Sequence, residues 1–133
     1  MKTIYLILVL AIFSCEKNEN VEPIKSIITP DALTGEWYLK SYSFGFSKPP
    51  ENYTLNEVVW KFSNNNTLNV TINTTLSPTS NIPITTTSQV NYTLINGVLN
   101  FSNKSFPTGF YQGNLIFDNG SANDGERIVF VKM

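Results

Sequence analysis

Cys15 is the only thiol in the chain, and the sequence contains no histidine. Those two facts set the limits of any covalent chemistry. A lone cysteine cannot close an internal disulfide, so it is available for modification or metal binding. Without histidine, the commonest general base and metal ligand near neutral pH is missing. No G-x-S-x-G elbow appears, and no nucleophile can be paired with a base. The densest group of carboxylates is Asp118-Asn119-Gly120-Ser121-Ala122-Asn123-Asp124-Gly125-Glu126. It lacks the D-x-[DN]-x-[DN]-G spacing of a calcium loop and the bidentate glutamate that completes one. Its Asn, Asp and Gly residues are those of a polar turn. Glu36 and Glu57 fall at outward positions of strands. The reading is therefore a protein that is not an enzyme, with no cofactor and no metal expected.

The position of Cys15 carries more than its chemistry. It follows an uncharged apolar run, Ile4 to Phe13, preceded by Lys2. As a helix such a run reaches about 15 Å, half of a ~30 Å hydrocarbon core, which is too short to span. A basic start, a short apolar stretch and a small residue at the processing point make a signal-peptide pattern. Ile12-Phe13-Ser14-Cys15 resembles the lipobox of bacterial lipoproteins: a branched apolar residue, a spacer, a small residue, then cysteine. That resemblance implies that residues 1–14 are removed and that Cys15 becomes an acylated mature N-terminus. Several acyl chains, each CH₂ contributing about 0.8 kcal/mol, hold a protein to a membrane far more firmly than one. In diderm bacteria an aspartate after the cysteine retains such proteins at the inner membrane. Glu16 stands there instead, which implies a cell outer membrane location, facing the periplasm or the cell surface.

Residues 15–30 form the lipidated terminus and a tether rich in charge and asparagine, leaving a domain over 31–133. The whole chain carries a formal charge of −1 with a single arginine, Arg127. No basic stripe is present to neutralise phosphates, so nucleic acid is excluded as a partner.

The elements of that domain are written in period 2. Val58, Trp60 and Phe62 alternate with polar or small neighbours, as do Leu68, Val70 and Ile72. Val90, Tyr92 and Leu94, Leu99 and Phe101, and Leu115 and Phe117 repeat the pattern. Alternation places one set on a buried face and the other in water. Ser63-Asn64-Asn65-Asn66, Asn96-Gly97 and Asn123-Asp124-Gly125 supply tight turns. Thr29 or Asp31 caps at most one short helical turn, stopped at Gly35. The pattern predicts an all-β antiparallel up-and-down meander closing into a small β-barrel of seven to eight strands. Seven strands are clear. An eighth, needed for antiparallel closure, is sought in Ile24–Ile28 or Ile82–Thr87.

Gly35-Glu36-Trp37, a G-x-W opening such a meander with a long first loop, resembles the lipocalin-like domains of small lipoproteins of diderm bacteria. The likeness covers about residues 31–133. It implies Gly35 and Trp37 at the closed end of the barrel. An even strand number would bring Lys132 there as well, within about 6 Å of the Trp37 ring, whereas an odd number would bring Arg127.

Two functional readings follow. In the first, the barrel mouth binds a small hydrophobic ligand through Tyr42, Phe44, Phe46, Tyr53, Trp60 and Tyr92. With Trp37 and Leu39 inward, strict alternation turns Tyr42, Phe44 and Phe46 outward, where something must cover them. A bulge near Gly45, with the loop folded back as a plug, would instead bury them as packing. In the second reading, the barrel is filled and acts as a surface or periplasmic module for a protein or glycan partner. A ligand-sized cavity inside favours the first; a filled interior favours the second.

Overall fold

The computed structural model describes residues 28–45, 48–77 and 80–133. Cys15 and Phe46 lie outside the described residues, as does Ile24–Ile28 up to Ile28 itself. Thr29 caps a one-turn helix, α1 (Pro30–Leu33), by accepting from the Ala32 amide. Gly35 at φ 121° then turns the chain into the first strand, a conformation that excludes most side chains.

The strands are β1 (Gly35–Phe44), β2 (Glu51–Asn52), β3 (Val58–Ser63), β4 (Thr67–Ile72), β5 (Ser88–Asn91), β6 (Thr93–Ile95), β7 (Val98–Phe101), β8 (Lys104–Tyr111), β9 (Asn114–Asn119) and β10 (Glu126–Val131). Every pairing is antiparallel, in the order β5-β4-β3-β1-β10-β9-β8-β7-β6. The two ends of that order, β5 and β6, are consecutive in the chain and separated by Tyr92 alone. They are halves of one stave: β5 pairs with β4, and β6 with β7. The two-residue β2 lies on the same edge of β1 as β3, nearer the other end of β1. Eight staves thus form an up-and-down meander, nearly closed into a barrel, with first and last strands side by side.

The eighth stave is β8, and the Ile82–Thr87 candidate does not supply it. Ile82 and Ile84 are buried against the core from a loop without forming a strand. In β8, Pro107 and Gly109 break the usual strand composition. Residues 104–107 pair with β7 and residues 108–111 with β9. Pro107 therefore sits where the strand passes from one neighbour to the other, the place where a missing N–H costs least.

The expected outward placement of Tyr42 is corrected. Leu39 pairs with Phe130 and Ser41 with Val129, so Lys40 is an extra residue, a bulge within β1. Inward positions therefore run Trp37, Leu39, Tyr42, and Tyr42 is buried. The bulge falls at Lys40, not near Gly45.

The interior is aromatic. Trp60 on β3 meets Phe101 on β7 edge-on with ring centroids 5.3 Å apart, and Phe117 on β9 and Phe130 on β10 at 5.8 and 5.0 Å. Phe62 and Phe106 extend the cluster. These contacts join opposite walls, so the rings meet across the barrel axis. Trp60 Nε1 is buried there without a hydrogen-bond partner.

Candidate functional site

The two ends of the barrel differ in chemistry, and each follows from which residues end the staves. At the α1 end, the Trp37 indole N–H donates to the Leu33 carbonyl at 2.7 Å, satisfying a helix-terminal acceptor inside the core. The Lys132 ammonium lies 5.1 Å from the centre of the Trp37 ring and donates to the Thr34 carbonyl at 3.4 Å. This is the arrangement expected of an even number of staves. The lysine stem also comes against Gly35, where an added Cβ would meet Nζ at 3.4 Å. Gly35, Trp37 and Lys132 together close this end; their role is packing.

The opposite end is the mouth. Four staves finish there with one inward-directed residue above the aromatic core. Phe44 stands two residues beyond buried Tyr42 on β1, and Asn119 two beyond Phe117 on β9. Glu126 stands two before Ile128 on β10, and Lys104 two before Phe106 on β8. Phe44 and Glu126 are directly paired, as are Glu126 and Asn119. These four, with Asn103 in the β7–β8 turn and Phe106 below, line an open cleft of about 510 Å³.

Its polar groups are already tied to the barrel. Glu126 Oε1 accepts from Lys104 Nζ at 3.4 Å and from the Tyr42 hydroxyl at 3.3 Å. Burial, and then the neighbouring Glu126 carboxylate, push the Tyr42 phenol well above its ordinary range, so it remains a donor. Gly125 shapes the rim: its N–H donates to the Gly120 carbonyl, and a Cβ there would collide with the Asn119 carbonyl.

A smaller cleft of about 200 Å³ lies beside β2 and is lined by Glu51, Tyr53, Glu57 and Ser80. Tyr53 and Ser80 both donate to Glu51 Oε2, at 2.7 and 3.0 Å. Burial pushes the Tyr53 phenol up to about 12, with Glu51 adding to the shift and Ser80 opposing it. These partners satisfy one another, and the network braces β2 and Tyr53 against the β4–β5 loop at Ser80. Among the described residues, no group of three or more cysteine, histidine or acidic side chains could hold a metal ion.

Of the six aromatic residues predicted from sequence, Phe46 lies outside the described residues and the other five are dispersed. Trp60 and Tyr92 are in the core, and Tyr42 supports the mouth from beneath through Glu126. Tyr53 belongs to the smaller cleft. Among these five, Phe44 alone stands in the mouth, with 48% of its surface exposed. Lys104, Asn119 and Glu126 were not singled out as mouth residues. Their signal is the inward parity they share with Phe106, Phe117 and Ile128; for Lys104 it becomes readable only once β8 is recognised as a strand, while Asn119 and Glu126 fall in the stretch read as a polar turn.

No family model matches the chain, and no curated protein matches it in sequence.

Proposed function

We propose that this chain is a lipid-anchored protein of the bacterial cell envelope, held at the outer membrane by acylated Cys15. Its lipocalin-like barrel acts as a packed scaffold that recognises a partner at its rim and encloses no ligand. The observation that carries the second half of this reading is the contact of Trp60 with Phe101, Phe117 and Phe130 across the barrel axis. An eight-stranded barrel is only just wide enough for its own side chains or one small ligand, and here large rings meet in the middle. The first half is supported by the lone cysteine at the lipobox position.

A small hydrophobic ligand at the mouth is the second reading, and exposed Phe44 favours it. Against it, Lys104, Asn119 and Glu126 line the same cleft and would have to be stripped of water by an apolar guest.

Two measurements test the proposal. Metabolic labelling with an alkyne fatty acid marks the wild type and leaves Cys15→Ser unmarked; equal labelling of both refutes the anchor. Mass spectrometry of protein released intact from membranes finds no stoichiometric apolar small molecule; finding one refutes the filled scaffold.

A further inference from the structure

We infer that the cleft at the barrel mouth binds a neutral carbohydrate, stacking one pyranose ring on Phe44 and holding its hydroxyls with Asn119, Asn103, Lys104 and Glu126. This deepens the rim-recognition reading above and rests on it.

The inference begins with what the mouth exposes. Phe44 follows the inward parity of β1 but lies above the core, so its ring is half in solvent, and the cleft runs beneath it to Phe106. A pyranose presents a face of C–H bonds, weakly positive, which suits the negative face of an aromatic ring. Around its rim it carries hydroxyls, each able to donate and to accept. The remaining lining offers both functions: the amides of Asn103 and Asn119 donate and accept, Lys104 donates, and Glu126 accepts. At about 510 Å³ the cleft falls within the range of small-ligand sites.

Charge narrows the class. Lys104 and Glu126 are 3.4 Å apart and neutralise each other within the cleft. A uronic acid or a phosphorylated sugar would have to break that pair to gain a partner, and a neutral sugar would not. An acyl chain would leave the ion pair and two amides without water or replacement bonds.

Peptides commonly bind by adding a strand to an open sheet edge. Beside the cleft that edge is short: residues 104–107 of β8 pair only with β7, and Asp118 and Asn119 of β9 pair only with β10. A peptide on that edge is the competing outcome of the test below. The buried Tyr42 hydroxyl also fixes the Glu126 carboxylate in place, so little side-chain order remains to be lost on binding.

The test uses the full-length protein in a detergent that contains no sugar. It is exposed to an array of neutral pyranose oligomers including maltotetraose and chitotetraose, with an oligoglucuronate as the charged control. Hits are titrated by calorimetry and examined by saturation-transfer NMR. The expected result is saturable binding of a neutral oligomer, with transfer strongest to the C–H protons of one ring face. Phe44→Ala weakens it about tenfold, the loss of one stacking contact. Phe44→Trp retains or tightens it, and Asn119→Ala weakens it. Because Phe44 and Asn119 are exposed, unchanged circular dichroism is expected of all three variants. Absence of saturable binding by every neutral oligomer overturns the inference. So does equal affinity in Phe44→Ala, tighter binding of the oligoglucuronate, or selection of a peptide over every sugar from a displayed library. An apolar molecule co-purifying with the protein would instead remove the filled-scaffold reading on which the inference rests. A clean protein that ignores all sugars removes only the carbohydrate.

Discussion

Trp60 shows how a single residue can serve and burden the same core. Its ring touches three other staves, yet its N–H is buried without an acceptor, which costs free energy that a phenyl ring would not. Trp60→Ala is expected to cost about 3–5 kcal/mol in denaturant unfolding, as large aromatic truncations do. Trp60→Phe loses volume but also removes the unpartnered donor, so it is expected to cost less than about 2 kcal/mol. Equal losses in the two variants would show that the orphaned N–H is without consequence. Tyr53 gives a pH dependence at the same scale. Its phenol lies at about 12 in the folded protein against an ordinary 10.0, so folding favours the protonated form. The stability this contributes is complete below about pH 10 and is lost as the pH rises through about 12. Lysines also discharge in that range, so the comparison to make is with Tyr53→Phe, whose urea midpoint should fall less steeply over the interval. Such roles were only partly legible in the sequence. Alternation placed Trp60 inside because its neighbours in β3 obey period 2. It could not show that the indole N–H would lack an acceptor, because that depends on residues from three other staves.

At the scale of the element, local pattern succeeds where one strand decides its own faces and fails where a neighbour decides them. The β3, β4, β7 and β9 segments alternate cleanly and were readable. In β1 the parity changes at Lys40, and nothing in Leu39-Lys40-Ser41-Tyr42 announces it. The register against β10 imposes the bulge, and long-range pairing is absent from a local window. β8 was hidden for the opposite reason: Pro107 and Gly109 resemble loop residues, while the burial of Phe106 and Thr108 shows a strand. Lys104 was lost along with it, whereas Asn119 and Glu126 lie on other strands, in a stretch that reads as a polar turn. The bulge also has a function within the fold, because the Lys40 carbonyl accepts from the Tyr53 amide at 3.0 Å and ties the chain just after β2 to the wall. Deleting Lys40 restores plain alternation with Trp37, Leu39 and Tyr42 still inward. The variant is therefore expected to fold, with near-native fluorescence, while the Tyr53 amide loses protection in hydrogen exchange. Global unfolding of this variant would mean that the bulge is required for closure itself.

Closure belongs to the whole molecule, and it depends on one residue. The wall passes from β4 to β7 only through the stave formed by β5 and β6, whose two halves meet at Tyr92. That residue is held on three sides. Its amide donates to the Asn66 carbonyl at 2.9 Å, its hydroxyl donates to the Ser63 carbonyl at 3.1 Å, and its ring meets Phe62 edge-on at 5.2 Å. All three partners lie in β3 or in the turn that leads to β4, so Tyr92 fastens the break in the stave to the end of the β3–β4 hairpin. Burial raises its phenol above the ordinary range, which keeps it a donor. Tyr92→Phe keeps the ring and removes the hydroxyl bond, for an expected loss of about 1 kcal/mol. Tyr92→Ala removes the ring as well and should cost about 3–5 kcal/mol. The more telling readout is where the damage appears. If Tyr92 fastens the seam, hydrogen exchange in Tyr92→Ala should rise together in β5 and β6, while β1, β9 and β10 on the far wall stay protected. A rise confined to one half, or spread evenly over all eight staves, would show that the barrel is held shut by its core alone.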